Sequence, residues 1–198
     1  MFTGIIECTG YVEKIEKSGT NTIFWISSPL SNALKTDQSV SHNGVCLTIE
    51  AVKDNLHRVT AIEETLQKTN LNHLQPCDMV NIEHCMVMNG RIDGHLVQGH
   101  VDCTATCTAV QNLNGSWEYS FQFPSAHATL VIEKGSICVN GISLTCFNVT
   151  ENSFKVAIIP YTYEHTNMST VTINTEVNLE FDVIGKYILR METLKKLS

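Results

Sequence analysis

The residues able to do chemistry in this chain come in two copies that differ at the reactive position. Asn43-Gly44-Val45-Cys46-Leu47-Thr48 recurs as Asn140-Gly141-Ile142-Ser143-Leu144-Thr145. Residues two apart on a strand share a face, so Cys46 projects with Thr48 and Ser143 with Thr145. Either copy alone reads more simply as a barrel corner in which small polar groups bond to backbone. Two copies that exchange a thiol for a hydroxyl read as two related sites with distinct duties. Gly4-Ile5-Ile6 and Gly99-His100-Val101 differ in the same way, because a histidine stands only in the second. His100 on a pocket wall can shuttle protons near neutral pH, although an isolated histidine is more often a plain surface or hydrogen-bonding residue.

His95 lies five residues before His100, which on a straight strand puts the two rings on opposite faces. That argues against a shared metal, and no other His/Cys grouping has a zinc spacing. The chain has no Gly-rich phosphate loop and no GxGxxG, which disfavours a phosphorylated nucleotide. What remains is hydroxyl, thiol, backbone amide and the Glu63-Glu64 carboxylate pair. Such a lining suits an uncharged, polyhydroxylated ring compound.

These motifs sit inside a duplication. Residues 39–83 realign on 136–180 at a constant offset of 97, with fifteen of 45 positions identical. Upstream the offset is 95, and Gly4, Cys8, Thr9 and Pro29 meet Gly99, Cys103, Thr104 and Pro124. A repeat of roughly 95 residues is domain-sized and exceeds the ~20–50 of solenoid arrays. Two like domains in one chain can hold two like ligands in mirrored poses. Short runs rich in β-branched and aromatic residues, 22–27, 45–49 and 80–83 with their counterparts 117–123, 142–147 and 177–181, predict strands. The Asn-Gly pairs predict tight hairpins, and each half reads as a small barrel or sandwich. Segments 65–70 and 162–167 predict a short helical turn opened by Thr65 or Thr162 as the cap. Residues 84–93 fall outside the repeat and read as a linker.

With 198 residues, 43% of them hydrophobic, the chain can bury two modest cores of about 90 residues each. The net charge of −7 argues against a nucleic-acid partner. No run is long and apolar enough for a membrane span, and the first residues carry no basic leader. The eight cysteines include no CxxC pair, so reduced thiols in a cytoplasmic protein are expected. In the tail, Asp182 can cap a helix with Ile184, Tyr187, Ile188 and Met191 on one stripe. An inter-subunit contact is the preferred reading of that stripe over packing on the second domain.

Met1-Phe-Thr-Gly-Ile-Ile-Glu7, Ser41-His-Asn-Gly-Val-Cys-Leu-Thr48, Glu64-Thr-Leu66, Thr69-Asn-Leu71, Gly94-His-Leu-Val-Gln-Gly-His100 and Asn140-Gly-Ile-Ser-Leu-Thr145 closely resemble riboflavin synthase of the alpha-chain type. The resemblance covers almost the whole chain, in order, duplication included. It implies an all-β fold of two tandem six-stranded Greek-key barrels plus a C-terminal α-helix. The domains would be a lumazine-binding barrel over residues 1–89, a second over 90–182, and an oligomerisation helix over 183–198. It implies a homotrimer and the dismutation, without cofactor or metal, of two 6,7-dimethyl-8-ribityllumazine molecules to riboflavin and 5-amino-6-ribitylaminouracil. In the family the site lies between the N-terminal barrel of one subunit and the C-terminal barrel of its neighbour.

Carried over by motif, the first barrel's wall comprises Gly4, Ile5 and Ile6, then Cys46, Leu47 and Thr48, then Thr60, Ala61, Ile62, Glu63, Glu64 and Thr65. The second comprises Gly99, His100 and Val101, then Ser143, Leu144 and Thr145, then Ile159, Pro160, Tyr161, Thr162, Tyr163 and Glu164. Lys134 matches a position that reaches a ligand across the interface. The implied roles are proton transfer by His100 and activation of the acceptor ring by Cys46 or Ser39. Ser143, Thr48 and Thr145 would hold the pteridine edges. Asp182 matches an acidic position near the site, and a helix cap accounts for it equally well. Asn140, Tyr163 and Leu189 depart from the usual aspartate, leucine and glutamate. The competing reading is a non-catalytic lumazine- or flavin-binding antenna protein of the same fold.

Overall fold

The computed structural model describes residues 1–196, so the last two residues of the expected 183–198 segment lie outside the described residues. In the first half, β1 (Cys8–Ser18) and β2 (Asn21–Ser27) form a long hairpin. The strands β3 (Ser39–His42) and β4 (Val45–Thr48) form a tight one, and β5 (Ala51–Lys53) and β6 (Leu56–Ala61) a third. The short α1 (Glu63–Lys68) leads to β7 (Met79–His84). The second half runs β8 (Cys103–Asn112), β9 (Trp117–Gln122), β10 (Ser136–Val139), β11 (Ile142–Thr145), β12 (Ser153–Ile158), α2 (Pro160–His165) and β13 (Glu176–Phe181). Helix α3 (Val183–Lys195) follows.

The two sheets share one topology. Strand order is β4-β3-β7-β1-β2-β6-β5 in the first and β11-β10-β13-β8-β9-β12 in the second. All pairings are antiparallel, and β3 lies beside β7 rather than β2, as a Greek key requires. Each sheet curls until β4 meets β6 and β11 meets β12. Even the β-bulge recurs, between Val12 and Lys14 and between Cys107 and Ala109, at the repeat offset.

The first sheet has seven strands where six are expected. Asp54 and Asn55 both take positive φ, 52° and 67°, a turn that matches strand twist and lets β5 pair fully with β6. In the second half Thr150 Oγ1 instead accepts from the backbone N–H of Asn152 and Ser153, at 3.4 and 3.1 Å. That side-chain turn competes with the ladder, and pairing shrinks to a single bridge between Phe147 and Lys155.

Both Asn-Gly hairpins form as expected, with φ of 48° and 80° at Asn43 and Gly44 and 46° and 84° at Asn140 and Gly141. Their tips abut, because a Cβ on Gly44 would lie 2.7 Å from the Gly141 nitrogen, and one on Gly141 2.8 Å from the Gly44 nitrogen. Repeat-equivalent residues also meet at Phe2 and Val97, which exchange backbone hydrogen bonds of 2.6 and 3.1 Å. A pseudo-two-fold axis therefore passes through both contacts. Six buried asparagines knit the halves around it. Asn81 Nδ2 donates to the Asn140 carbonyl and Asn178 Nδ2 to the Asn43 carbonyl, each at 2.9 Å. The backbone N–H of Asn70 donates to Asn178 Oδ1 and that of Asn167 to Asn81 Oδ1, both at 2.7 Å. Asn140 Oδ1 accepts from Asn178 N–H and Asn70 Nδ2, a role an aspartate fills equally well.

The capping expectation is corrected. The helices start two residues earlier than expected, and Thr65 and Thr162 lie inside them. The caps are Thr69 and Thr166, whose hydroxyls accept from Leu71 and Met168 N–H at the start of 3-10 turns. Each of those hydroxyls also donates back to the Thr65 or Thr162 carbonyl. Asp182 does cap α3, its Oδ1 accepting from Ile184 N–H at 3.0 Å.

Candidate active site

Strands β4 and β11 carry the reactive faces as the alternation predicts. Val45 and Leu47 point into the first core, while Cys46 is half-buried and Thr48 exposed. Ile142 points inward, and Ser143 and Thr145 take the other face. The partners of these strands differ from the sequence grouping, because the leading segments cross over. The Cys46 N–H donates to the Gly99 carbonyl at 2.9 Å, and the Ser143 N–H to the Gly4 carbonyl at 2.8 Å. Gly99-His100-Val101 thus lies on the first barrel and Gly4-Ile5-Ile6 on the second. Val101 packs on the first core and Ile6 on the second. A Cβ at Gly99 would sit 2.5 Å from Cys46 Cβ, and one at Gly4 2.7 Å from Ser143 Cβ. Both glycines also have positive φ, so glycine is required twice over.

Two buried glutamates hold the crossing. Glu83 accepts from Thr3 N–H, Thr3 hydroxyl and Gly4 N–H at 2.7, 2.9 and 3.1 Å. Glu180 accepts from the N–H groups of Gln98, Gly99 and His100 at 2.7, 2.9 and 3.0 Å. Burial pushes both carboxyls above their usual range, and these donors offset part of the shift.

On the first barrel a cleft of about 360 Å³ opens between Cys46, Thr65, Gly99, His100, Asp102 and Lys186, with Glu64 on its wall. Burial raises the Cys46 thiol above its ordinary value, and a hydrogen bond from Ser39 opposes this. The group Cys46 offers to the cleft is therefore a protonated thiol, able to donate a hydrogen bond but a poor nucleophile. Ser39 itself faces a neighbouring cleft of about 660 Å³ with Thr3, Ile5, Glu7 and the segment 83–93. Leu47 and Ala61 are buried in the core and offer only main chain to a ligand. Thr60 donates to Glu50, while Ile62 and Glu63 are exposed where β6 turns into α1.

On the second barrel Ser143 Oγ lies 2.6 Å from His95 Nδ1. His95 is buried and His100 exposed, and neither stands on a regular strand, so the opposite-face argument gives way to a crossing segment. Burial lowers the His95 imidazole below its ordinary value, opposed by the charge of Asp182. Pro160 opens α2, Ile159, Tyr161 and Glu164 are exposed, and Thr162 is half-buried. Tyr163 turns away from this face and stacks on Trp117 at 3.8 Å, in the place Leu66 takes in the first core. Leu144 is half-buried against the second core. Lys134 is exposed, its ammonium 5.4 Å from the Phe147 ring.

Sequence reasoning passed over His95, Asp102 and Lys186 as site residues, and Glu83, Glu180, Asn81 and Asn178 as their supports. The last four carried a signal, since they are identical pairs within the repeat.

A lumazine binding domain matches twice, over residues 3–85 and 98–182. Riboflavin synthase of Bacillus subtilis is 41% identical over 192 residues, 96% of this chain and 89% of that one. Riboflavin synthase of Mycobacterium tuberculosis H37Rv is 38% identical, covering 96% and 98%. The solved structure of LumP complexed with riboflavin superposes with a TM-score of 0.86 over 91% of this chain and 99% of LumP, at 18% identity, which speaks for the fold alone. With two lumazine binding domains crossed over one axis and full-length relatives at this level of identity, the chain belongs to the riboflavin synthase family.

Proposed function

We propose that this chain dismutates two molecules of 6,7-dimethyl-8-ribityllumazine into riboflavin and 5-amino-6-(D-ribitylamino)uracil, one molecule passing a four-carbon unit to the other. The observation that carries this reading is the 41% identity, over nearly the whole length, to riboflavin synthase of Bacillus subtilis. The duplicated reactive faces support it, since two identical substrates must meet in near two-fold pose. Alignment of that kind is worth roughly 7–11 kcal/mol of barrier.

One half-site is built on the first barrel from Cys46, Thr48, Glu64 and Thr65 together with Gly99, His100 and Val101. The other is built on the second barrel from Ser143, Thr145, Thr162 and the exposed turn 159–161 together with Gly4, Ile5 and Ile6. His100 moves the proton of the acidic C7 methyl, while Cys46, with Ser39 behind it, donates a hydrogen bond to the ring. Lys134 reaches the ligand of a neighbouring copy. The repeat units span residues 1–89 and 90–182, each lending its leading segment to the other's barrel, and 183–198 joins three copies so that unlike half-sites face each other. Ile184, Tyr187, Ile188 and Met191 are 58, 70, 57 and 59% exposed on α3, which supports a neighbour on that helix. The eight free thiols support a reducing cytoplasmic setting, and no described helix is long and apolar enough to cross a membrane.

The test is incubation of pure protein with the lumazine, alongside native mass measurement. Steady formation of riboflavin, two lumazines consumed for each, with a mass of three chains, is expected. Tight binding without turnover would overturn the enzyme reading in favour of the antenna reading.

A further inference from the structure

Helix α3 turns itself inside out. Ile184, Tyr187, Ile188 and Met191 face outward, while the charged side chain of Lys186 points inward and is only 24% exposed. Packing alone would place an isoleucine there and leave the lysine in water. Lys186 Nζ instead lies 2.6 Å from Asp102 Oδ2, on the wall of the cleft that holds Cys46, Thr65 and His100. Asp102 is held in turn by the Phe181 N–H at 2.9 Å. An ammonium has three N–H donors, and the bond to Asp102 uses one.

The same device recurs on the other half of the repeat from different parts. Glu7 is the counterpart of Asp102 and His84 of Phe181. Glu7 accepts the His84 N–H at 2.7 Å, and its other oxygen lies 2.9 Å from His84 Nδ1. Each half thus pairs a carboxylate with a basic nitrogen at the same place. Glu7 and His84 line the larger cleft beside Ser39, whereas the pair on the first barrel uses a lysine and shares its cleft with Cys46 and His100.

We propose that Lys186 is a ligand-binding residue of the first barrel's half-site, stabilising the bound lumazine in its anionic form after loss of the C7 methyl proton, with Asp102 fixing where the ammonium stands. The inference rests on the lumazine reading above. Loss of the proton leaves an electron pair delocalised over the ring, and a cation at the ring edge favours that state. It also makes the placement of α3, the helix proposed to join subunits, a condition for binding at this half-site.

The test is an absorbance titration of 6,7-dimethyl-8-ribityllumazine bound to the full-length protein, since the delocalised anion absorbs differently from the neutral ring. Lys186→Met is expected to raise the apparent pKa of the bound ligand by about one unit or more, with Lys186→Arg restoring most of the shift. Asp102→Asn, which leaves the ammonium unneutralised while keeping an acceptor for Phe181, is expected to move it the opposite way. A helix tether without a ligand role would weaken binding in both variants and leave the pKa of the bound ligand unmoved, which overturns the proposal. Shifts of the same sign in both variants overturn it as well. If the unsubstituted protein binds no lumazine, the functional reading itself fails, a result distinct from binding with unshifted ionisation.

Discussion

Behind the hairpin tips, the first barrel buries His42 and His57 where the second buries Val139 and Phe154 at the same repeat positions. The apolar pair needs only volume. The histidine pair needs a complete chain of partners. His42 Nδ1 lies 3.2 Å from the Val40 carbonyl, its Nε2 2.8 Å from His57 Nε2, and His57 Nδ1 2.8 Å from the Ser31 hydroxyl. That carbonyl can only accept, so His42 carries its proton on Nδ1, His57 on Nε2, and Ser31 donates. Both rings are then neutral. Burial, reinforced for His42 by the neighbouring ring, holds His42 well below the ordinary imidazole value and His57 down at about 4. One strand order thus accommodates a dry core and a hydrogen-bonded one, and only the second couples stability to pH.

A second contrast lies at the reactive faces. Cys46 has Gly99-His100 beside it, while Ser143 has Gly4-Ile5. If the halves have distinct duties, this difference should dominate the kinetics. His100→Ala is expected to lower kcat by roughly 10²–10⁴, the usual contribution of a placed acid–base group, and Ile5→Ala by less than about tenfold. Equal losses in steady-state assays would erase the distinction.

The core contrast predicts the next largest effect. His57→Phe alone strands His42 Nε2 and is expected to destabilise the chain by about 1–3 kcal/mol. Adding His42→Val reproduces the second barrel's own pair and should recover most of that. The pH dependence follows from the lowered imidazoles. The unfolded state gains protons below about pH 6.5 while the folded rings stay neutral, so this stability is complete above that value and lost toward pH 4. At pH 5, His57 accounts for a loss of about 2 kcal/mol relative to pH 7, and the double variant should lack this component. Denaturant unfolding at the two pH values checks it.

The smallest expected effect concerns the asparagine network. Asn167 Oδ1 accepts from Asn81 Nδ2 at 2.8 Å, whereas the equivalent Asn70 Oδ1 is buried without a partner among the described residues. Asn167→Ala is therefore expected to cost about 1 kcal/mol more than Asn70→Ala, since only the former removes a satisfied buried acceptor. Identical thermal shifts would show the pseudo-symmetry to be complete in solution.

Much of the fold was legible because its determinants are local. Strict alternation on 45–48 and 142–145 sets which residues face the core, and Asn-Gly sets the turn. The seventh strand was not, because it depends on the positive φ of Asp54 and Asn55 against the side-chain turn at Thr150. The cap moved from Thr65 to Thr69 because a threonine two residues into a helix cannot reach its first N–H groups, while one at its end can open the next turn.

The sequence by itself determined that there are two sibling halves, where most of their strands and both Asn-Gly hairpins fall, and that Cys46 shares a face with Thr48 and Ser143 with Thr145. Only the tertiary structure decided which leading segment serves which barrel. An offset between repeats is identical whether each segment stays at home or crosses over. The choice is made by backbone hydrogen bonds to Cys46 and Ser143, by the close approach that Gly4 and Gly99 permit, and by two glutamates buried about eighty residues away in sequence. The inward turn of Lys186 was hidden for the same reason, because its partner Asp102 belongs to the crossing segment.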